Sequence, residues 1–266
     1  MEWWIAYLML GLFVGLFAGM LGIGGGMLLV PPLVFMFSAQ DFAAERVLHL
    51  ALGTSLTTIV FTSLSSIRAH HARSAVRWDI FRDAAPGLVI GTLAGSFIAD
   101  WLDSRFLAIV FVVFVSYSAT QMVLNLKPEP SRRLPGKIGM ALGAAVVGLI
   151  SSLVGAGGGV VSIPLMIICN VHMRNAVGTS AALGFPIALA GAIGYAYTGF
   201  GAENLPPMSV GYVYLPALAG IVVGTFTTVP LGARLAHTMP VTLLKRIFAV
   251  LLFLLAARML WSIFSG

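Results

Sequence analysis

Charged residues are scarce in this 266-residue chain, in which Asp, Glu, Lys and Arg together make up 9% of the sequence. Soluble domains carry about 25% charged residues, whereas 59% of this chain is apolar and its mean hydropathy is +1.00. A soluble fold of this size could not bury so much apolar surface behind a charged exterior. The composition excludes a cytosolic enzyme, a disordered chain and a nucleic-acid-binding domain, and it indicates a protein that crosses a membrane several times.

Cysteine and buried acidic residues are also scarce. Cys169 is the single cysteine, so neither an intramolecular disulfide nor a cysteine metal cluster can form. No Asp or Glu lies well inside an apolar block, and there is no HExxH motif and no membrane-buried Ser, His and Asp set. These absences argue against an intramembrane protease, a carboxylate proton relay and a carboxylate sodium site. We predict a protein that is not an enzyme, with no catalytic residues, no metal site and no cofactor.

Eight apolar blocks approach or exceed the roughly 20 residues that a helix needs to cross the hydrocarbon core. They run over residues 5–37, 47–67, 84–101, 106–125, 138–169, 176–199, 211–233 and 242–264. The first and fifth blocks are too long for one ordinary span, and glycine clusters interrupt them at Gly22–Gly26 and Gly155–Gly159. We predict an all-α polytopic membrane protein with about ten helical segments when the broken helices are counted separately.

Motifs recur along the chain at a nearly constant spacing, and the two glycine clusters are 133 residues apart. The other matched pairs are Pro31 with Pro164, Gly53-Thr54-Ser55 with Gly178-Thr179-Ser180, and Gly91-Thr92 with Gly224-Thr225. Self-similarity at a fixed spacing is typical of repeated architectures. We predict a first transmembrane repeat over residues 1–126, a cytoplasmic linker over 127–137 and a second transmembrane repeat over 138–266.

The basic stretches 68–83 and 127–137 are placed in the cytoplasm by the positive-inside rule. The stretch 200–209 contains Glu203 and no basic residue, so we expect it outside, although it corresponds to 68–83 in the first repeat. The repeats are therefore predicted to be inverted relative to each other. Each broken block then begins and ends on one side, the first outside and the second in the cytoplasm, and both termini lie outside.

The glycine clusters are the predicted substrate site. Backbone that leaves helical geometry inside a membrane must be buried in protein or line an aqueous cavity. The short helix after each cluster presents a positive N-terminus that attracts anions, and interrupted helices in two inverted repeats indicate a transporter's substrate site. The alternative is tight helix packing through small residues. The glycines predicted to bind substrate are Gly24, Gly25, Gly26, Gly157, Gly158 and Gly159.

Hydroxyls and cations complete the predicted site. Hydroxyls near helix starts can donate to an oxyanion, or can bond back to their own helix. Arginine suits oxyanions, or it can serve lipid headgroups and helix ends, and Arg258 inside the last block is open to both interpretations. The predicted substrate-binding residues of these types are Thr54, Ser55, Thr179, Ser180, Arg46, His49 and Arg174. Because positive groups but no negative groups lie near the predicted site, we expect an anion as cargo.

The segments Gly22–Pro31 (GIGGGMLLVP) and Gly155–Pro164 (GAGGGVVSIP), together with both Gly-Thr-Ser triplets, resemble the TauE/SafE family of sulfite and organosulfonate exporters. The similarity covers nearly the whole chain. It implies a multi-pass protein of the bacterial cell inner membrane that moves small sulfur-containing anions such as sulfite, sulfoacetate or thiosulfate.

We therefore expect a secondary transporter that exports a small sulfur-containing oxyanion, with movement of one half against the other alternating access to the site. A passive anion channel and an uptake carrier for thiosulfate or sulfate are the open alternatives. The expected partners are the anion and membrane lipids but no nucleic acid, and a homodimer is an open alternative for the oligomeric state.

Overall fold

The computed structural model describes residues 2–21, 25–124, 133–235 and 241–265, and these are almost entirely helical. The helices are α1 (Glu2–Leu21), α2 (Gly26–Ser38), α3 (Ala44–His71), α4 (Trp78–Trp101), α5 (Ser104–Val123), α6 (Lys137–Leu153), α7 (Gly159–Ile168), α8 (Met173–Thr198), α9 (Leu215–Leu235) and α10 (Val241–Ser265). Six of them are long and apolar enough to span a membrane over at least 18 residues. The prediction of a polytopic helical membrane protein with about ten segments is confirmed, whereas Gly24 and most of the predicted linker lie outside the described residues.

One block boundary is wrong. The block predicted at 211–233 begins in the turn of a short antiparallel hairpin, β1 (Ser209–Val210) and β2 (Val213–Tyr214), and the helix starts only at Leu215. Gly211 has φ +56° and opens the two-residue turn between the strands, a position that glycine occupies without a steric penalty. Short apolar segments do not distinguish a buried hairpin from a helix by composition, so hydropathy assigned these residues to the helix.

Both predicted helix breaks are present. The first separates α1 from α2, and the second separates α6 from α7. Gly25 precedes α2 with φ 72° and Gly158 precedes α7 with φ 74°, both in the left-handed region. Because an L-residue with a side chain pays a penalty there, glycine at these two positions allows the chain to turn and start a new helix.

The first broken block enters and leaves by the same face of the bundle. Gln40, just beyond the end of α2, donates from Nε2 to the hydroxyl of Tyr7 near the start of α1 at 2.6 Å. The returning helix α2 has 13 residues and α7 has 10. Helices of this length measure about 15–20 Å and reach only partway through a hydrocarbon core of about 30 Å. Both glycine breaks therefore lie at mid-depth.

The long central helices α3 and α8, which carry the two Gly-Thr-Ser triplets, run antiparallel. A Cβ placed on Gly53 would lie 3.0 Å from Cβ of Tyr195, and one on Gly191 would lie 3.4 Å from Cβ of Leu56. Later residues of α3 therefore contact earlier residues of α8, as expected for antiparallel helices. Since corresponding helices of parallel repeats would point the same way, the structure confirms the predicted inversion; the residue boundaries of the repeats stay a prediction.

The two series of helices, α1–α5 and α6–α10, interlock. Helix α1 packs in parallel against α9, and α6 packs in parallel against α4. These contacts are made backbone to backbone: a Cβ on Gly15 would lie 2.7 Å from Cα of Thr225, and a Cβ on Gly91 would lie 2.8 Å from Cα of Ala145. Small residues allow such close approach between membrane helices. The first helix of each series is thus held by the fourth helix of the other.

Charges separate onto two faces of the bundle. The face where α3 begins and α8 ends is called the acidic face here. On it, Glu45 accepts hydrogen bonds from Ser104, at its backbone carbonyl, and from Asn204, at its carboxylate. The acidic residues of this face are Asp41, Glu45, Asp100, Asp103 and Glu203, beside Arg46 and Arg105. The opposite, basic face carries Arg68, Arg73, Arg77, Arg82 and Arg174, beside Asp79 and Asp83. This separation agrees with the predicted orientation, whose assignment to the two sides of a cell membrane stays a prediction.

Candidate functional site

The two glycine breaks contact each other in the middle of the bundle. A Cβ on Gly26 would overlap the carbonyl oxygen of Gly155 and would lie 3.3 Å from Cα of Ala156. Residues 25–30 and 154–160 are all buried. The N-terminus of α2 therefore lies against the loop that leads into α7. Each helix N-terminus carries about half a positive charge and N–H groups with no acceptor inside its own helix.

Ser55 on α3 links the two breaks. Its hydroxyl Oγ lies 3.3 Å from the carbonyl oxygen of Gly26 and 3.2 Å from that of Gly155, and it shares its one hydrogen between them. The side chain is fully buried. Ser55 therefore lies where the sequence analysis placed it, next to the glycine motifs of both series.

Ser180, the counterpart of Ser55, forms a hydroxyl pair with Ser162 near the break before α7. Ser162 Oγ donates to the carbonyl oxygen of Gly158 at 2.9 Å, and Ser180 Oγ lies 2.9 Å from Ser162 Oγ. Ser162 was not among the residues predicted from the sequence to bind substrate. The available signal was its position inside the second glycine motif, one turn after Gly158, where the first motif has Leu29.

The threonines of the triplets have a different role from the serines. Thr54 Oγ1 accepts the backbone N–H of Tyr214 at 3.0 Å, and Thr179 Oγ1 accepts that of Arg77 at 2.9 Å. Tyr214 immediately precedes α9, and Arg77 immediately precedes α4. Both threonines are buried. The hydroxyls predicted to donate to an oxyanion here accept hydrogen bonds from the backbone.

The triplet glycines complete the same contacts. A Cβ on Gly178 would lie 2.6 Å from the carbonyl oxygen of Ala75, and a Cβ on Gly53 would overlap the carbonyl oxygen of Tyr212. The glycine gives the extended segment room to approach the helix, and the threonine then binds its N–H. Each triplet thus uses its glycine and threonine to fasten a neighbouring segment and its serine to contact the breaks.

Arg46 and His49 lie toward the acidic face, away from the breaks. Arg46 Nη1 donates to the hydroxyl of Tyr212 at 2.9 Å, and that hydroxyl donates to Asp100 Oδ1 at 2.8 Å. Burial, and then the hydrogen bond to Asp100, raise the pKa of Tyr212 to about 12, so its hydroxyl keeps its proton at neutral pH. His49 is buried and donates from Nε2 to the carbonyl oxygen of Ala99 at 2.9 Å.

The structure does not bring the three predicted cations together. His49 and Arg46 precede Ser55 by six and nine residues, which is about 9 and 13 Å along a helix. Arg174 is exposed on the basic face, where it donates to the carbonyl oxygen of Arg73. Arg258 is stacked over the ring of Phe35 at 3.9 Å near the end of α2. The cations therefore flank the breaks from opposite faces.

The walls around the breaks are apolar and uncharged. Val14 and Ala18 lie 2.9 and 3.0 Å from a Cβ placed on Gly25, while Ile187 lies 2.5 Å and the hydroxyl of Ser151 3.4 Å from one on Gly158. The sequence has no Asp or Glu over 3–40 or 130–202, the ranges that contain both breaks. Among the described residues, no group of three or more His, Cys, Asp or Glu could hold a metal ion. The arrangement suits reversible binding of an anion by neutral donors.

Comparisons with known proteins agree over nearly the full chain. A family model described as "Sulfite exporter TauE/SafE" matches residues 7–259. A "Probable membrane transporter protein" of Haemophilus influenzae is 33% identical over 253 residues, covering 95% of this chain and 96% of that protein. The "Probable membrane transporter protein YunE" of Bacillus subtilis is 25% identical over 287 residues, covering 98% and 99%. No solved structure matches the chain.

Proposed function

The chain belongs to the TauE/SafE family, whose members are membrane transporters rather than enzymes, and from this premise we propose that it exports a small sulfur-containing oxyanion across the bacterial inner membrane. Sulfite, sulfoacetate and related organosulfonates are the proposed cargo. The multi-pass fold provides the barrier. The cargo crosses by alternating access, in which the site opens to one side of the membrane at a time.

The observation that carries this proposal is the contact between the two glycine breaks, where the N-terminus of α2 lies against the loop that leads into α7. An anion bound at the breaks interacts favourably with the positive end of a helix, an interaction worth about 0.3–1 kcal/mol and up to about 2 kcal/mol when partly buried. Ser55 and the Ser162–Ser180 pair offer hydroxyls within the same region. Because these donors are neutral, the site attracts an oxyanion without trapping it as a permanent ion pair would.

The flanking cations fit a route to and from this site. Arg46 lies toward the acidic face and Arg174 on the basic face, so an anion meets a guanidinium before and after the breaks. Electrostatic attraction of this kind raises association rates more than final affinity. A monoanion that leaves a cell with a negative interior gains about 2.3 kcal/mol per 100 mV, so export needs no coupling ion in principle.

Efflux from proteoliposomes tests the proposal. Vesicles loaded with sulfite, sulfoacetate, thiosulfate or sulfate are given an inside-negative potential, and loss of each anion is followed. We expect saturable efflux of sulfite or sulfoacetate, faster at a more negative interior, with counterflow of labelled anion. Single-channel currents would identify a passive channel, and a preference for inward thiosulfate or sulfate movement would identify an uptake carrier.

A pair of glycine variants locates the efflux at the breaks. Gly158→Leu adds a side chain at a positive φ and against Ile187, whereas a Cβ on Gly143 of α6 would meet nothing within 4 Å. We expect Gly158→Leu to abolish efflux and Gly143→Leu to retain it at equal membrane insertion. No efflux of any tested anion by the folded wild-type protein would overturn the proposed function.

A further inference from the structure

We propose that the transporter moves as two bodies that each combine helices of both series, and that Thr54 and Thr179 are positioning residues that hold each body together. The first body consists of α1, α2, α3 and α9, and the second of α4, α6, α7 and α8. This inference rests on the alternating access proposed above. It replaces the expectation that one half of the sequence moves against the other.

The tightest helix contacts join the two series. Gly220 and Gly224 of α9 lie against α1, where a Cβ on Gly220 would be 2.8 Å from Cβ of Tyr7 and one on Gly224 would be 2.6 Å from the backbone N of Leu12. The α4–α6 pair repeats this pattern, since a Cβ on Gly148 would lie 2.8 Å from Thr92 Oγ1. Movement of α1–α5 against α6–α10 would have to pull both backbone contacts apart. Close-packed interfaces resist such gradual separation.

The triplets add a second connection inside each body. Thr54 fastens α3 to the segment that leads into α9, and Thr179 fastens α8 to the segment that leads into α4. Loss of either hydroxyl leaves a buried backbone N–H without its acceptor, which is costly. In each body, the long central helix of one series is thus joined to the fourth helix of the other series by a threonine–backbone hydrogen bond.

Contacts between the two bodies lie where α8 crosses α3 and the hairpin before α9, and they include a backbone hydrogen bond from the N–H of Tyr212 to the carbonyl oxygen of Tyr195 at 3.1 Å. On the acidic face, side-chain hydrogen bonds add to them, from His49 to the carbonyl oxygen of Ala99 and from Tyr212 to Asp100. At the centre, Ser55 shares its hydroxyl between Gly26 of its own body and Gly155 of the other. A single anion that takes the Ser55 hydrogen bond removes one of these links. The side-chain bonds between the bodies can be exchanged one at a time, whereas the α1–α9 and α4–α6 contacts continue along the length of parallel helices.

Two cysteine pairs in a Cys169→Ala background separate the possible movements. Leu56→Cys with Gly191→Cys joins the two bodies, with Cβ positions 3.4 Å apart, close to disulfide geometry. Gly15→Cys with Thr228→Cys lies inside the first body, where Thr228 Oγ1 touches the Cβ position of Gly15. Both pairs join α1–α5 to α6–α10, so movement of one half against the other would be blocked by either disulfide.

We expect oxidation of the Leu56/Gly191 pair to stop sulfite efflux and reduction to restore it. Oxidation of the Gly15/Thr228 pair should leave efflux within about twofold of its own reduced form, a change well under the tenfold that 1.4 kcal/mol represents. Inhibition by both disulfides, or by the Gly15/Thr228 disulfide alone, would overturn the inference. If the wild-type protein moves no anion, the proposed function fails instead.

Spin labels give a readout that does not depend on tight cysteine pairs. Met9 on α1, Val223 on α9 and Ile90 on α4 are exposed on the bundle surface. On addition of sulfite to a preparation with measured efflux, we expect the Met9–Val223 distance to stay constant and the Ile90–Val223 distance to shift. A shift within the Met9–Val223 pair at a constant Ile90–Val223 distance would contradict the two-body arrangement.

The positioning role of the threonines is tested by measuring the maximal efflux rate and the half-saturating sulfite concentration separately. Thr54→Val and Thr179→Val should lower the maximal efflux rate about tenfold while the half-saturating sulfite concentration stays within about twofold, because the lost bond fastens helices rather than the anion. Thr54→Ser and Thr179→Ser keep the acceptor and should restore the rate. An unchanged maximal rate with weakened affinity would place these hydroxyls on the anion and overturn the positioning role.

Discussion

The two glycine breaks share their backbone and differ in their side chains. Gly25 and Gly158 have φ angles of 72° and 74°. A valine of the preceding helix lies beside each glycine, Val14 beside Gly25 and Val147 beside Gly158. Yet Ala18 lies beside Gly25 where Ser151 lies beside Gly158. The left-handed turn and the helix N-terminus are therefore common to both breaks, whereas most of the serine hydroxyls lie around the second break.

The strongest test of the shared part replaces either left-handed glycine. Gly25→Ala and Gly158→Ala should each reduce sulfite efflux more than about tenfold, because an L-residue in this conformation costs about 1–2 kcal/mol and the new Cβ contacts Val14 or Ile187. Thermal unfolding should fall in both variants, and Gly143→Ala serves as the control. Loss of efflux in only one variant would show that the two breaks are not equivalent.

The bridging serine should matter more than its counterpart. Ser55→Ala removes the hydroxyl that reaches both breaks, whereas Ser180→Ala leaves Ser162 in place at the second. A hydrogen bond to a charged group contributes about 1.5–3 kcal/mol. We therefore expect the half-saturating sulfite concentration to rise about tenfold or more for Ser55→Ala and less for Ser180→Ala. Equal changes would mean that the anion contacts the two serines alike.

The position at which the two glycine motifs differ, Leu29 in the first and Ser162 in the second, allows effects on anion binding to be separated from effects on stability. Ser162 on α7 corresponds to Leu29 on α2, and Leu29 is buried. Ser162→Ala should weaken sulfite binding a few-fold with little change in unfolding temperature. Leu29→Ala should lower stability by about 2–5 kcal/mol through a cavity with little change in affinity. The reverse pattern, measured by titration and thermal unfolding, would assign the anion to the first break.

The smallest effects are expected at the flanking cations. Arg174→Gln and Arg46→Gln should slow efflux about two- to threefold at low ionic strength and less at high ionic strength, since salt screens steering by exposed charges. Arg258→Gln, stacked on Phe35 away from the breaks, should change efflux least. Salt-independent effects of Arg174→Gln would indicate a direct contact with bound anion.

Hydropathy and glycine spacing were sufficient to predict the helices and the two breaks, because a chain in lipid must keep its polar backbone inside helices. The distribution of basic residues between the apolar blocks predicted the inversion. The same pattern missed the hairpin before α9, whose residues are as apolar as a helix. It also assigned Thr54 and Thr179 to the anion, since the backbone N–H groups of Tyr214 and Arg77 lie more than 100 residues away along the chain.

The packing of α1 against α9 likewise depends on long-range contacts that no local pattern specifies. The glycines at positions 11, 15, 220 and 224 are visible in the sequence as small-residue spacings, which indicate a close helix partner without naming it. Only the folded arrangement shows that the partner belongs to the other series. Ser162 was within reach of sequence reasoning, but glycine and proline marked the motif more clearly than its hydroxyl.

Equilibrium binding of radiolabelled sulfite to the purified protein tests the central claim most directly. The account predicts saturable binding for which sulfoacetate competes. Binding is reduced strongly in a folded Ser55→Ala/Ser180→Ala variant and is retained in Arg258→Gln. Full-strength binding by the double serine variant, or no saturable binding of sulfite by the folded wild-type protein, would contradict the assignment of the anion to the paired glycine breaks.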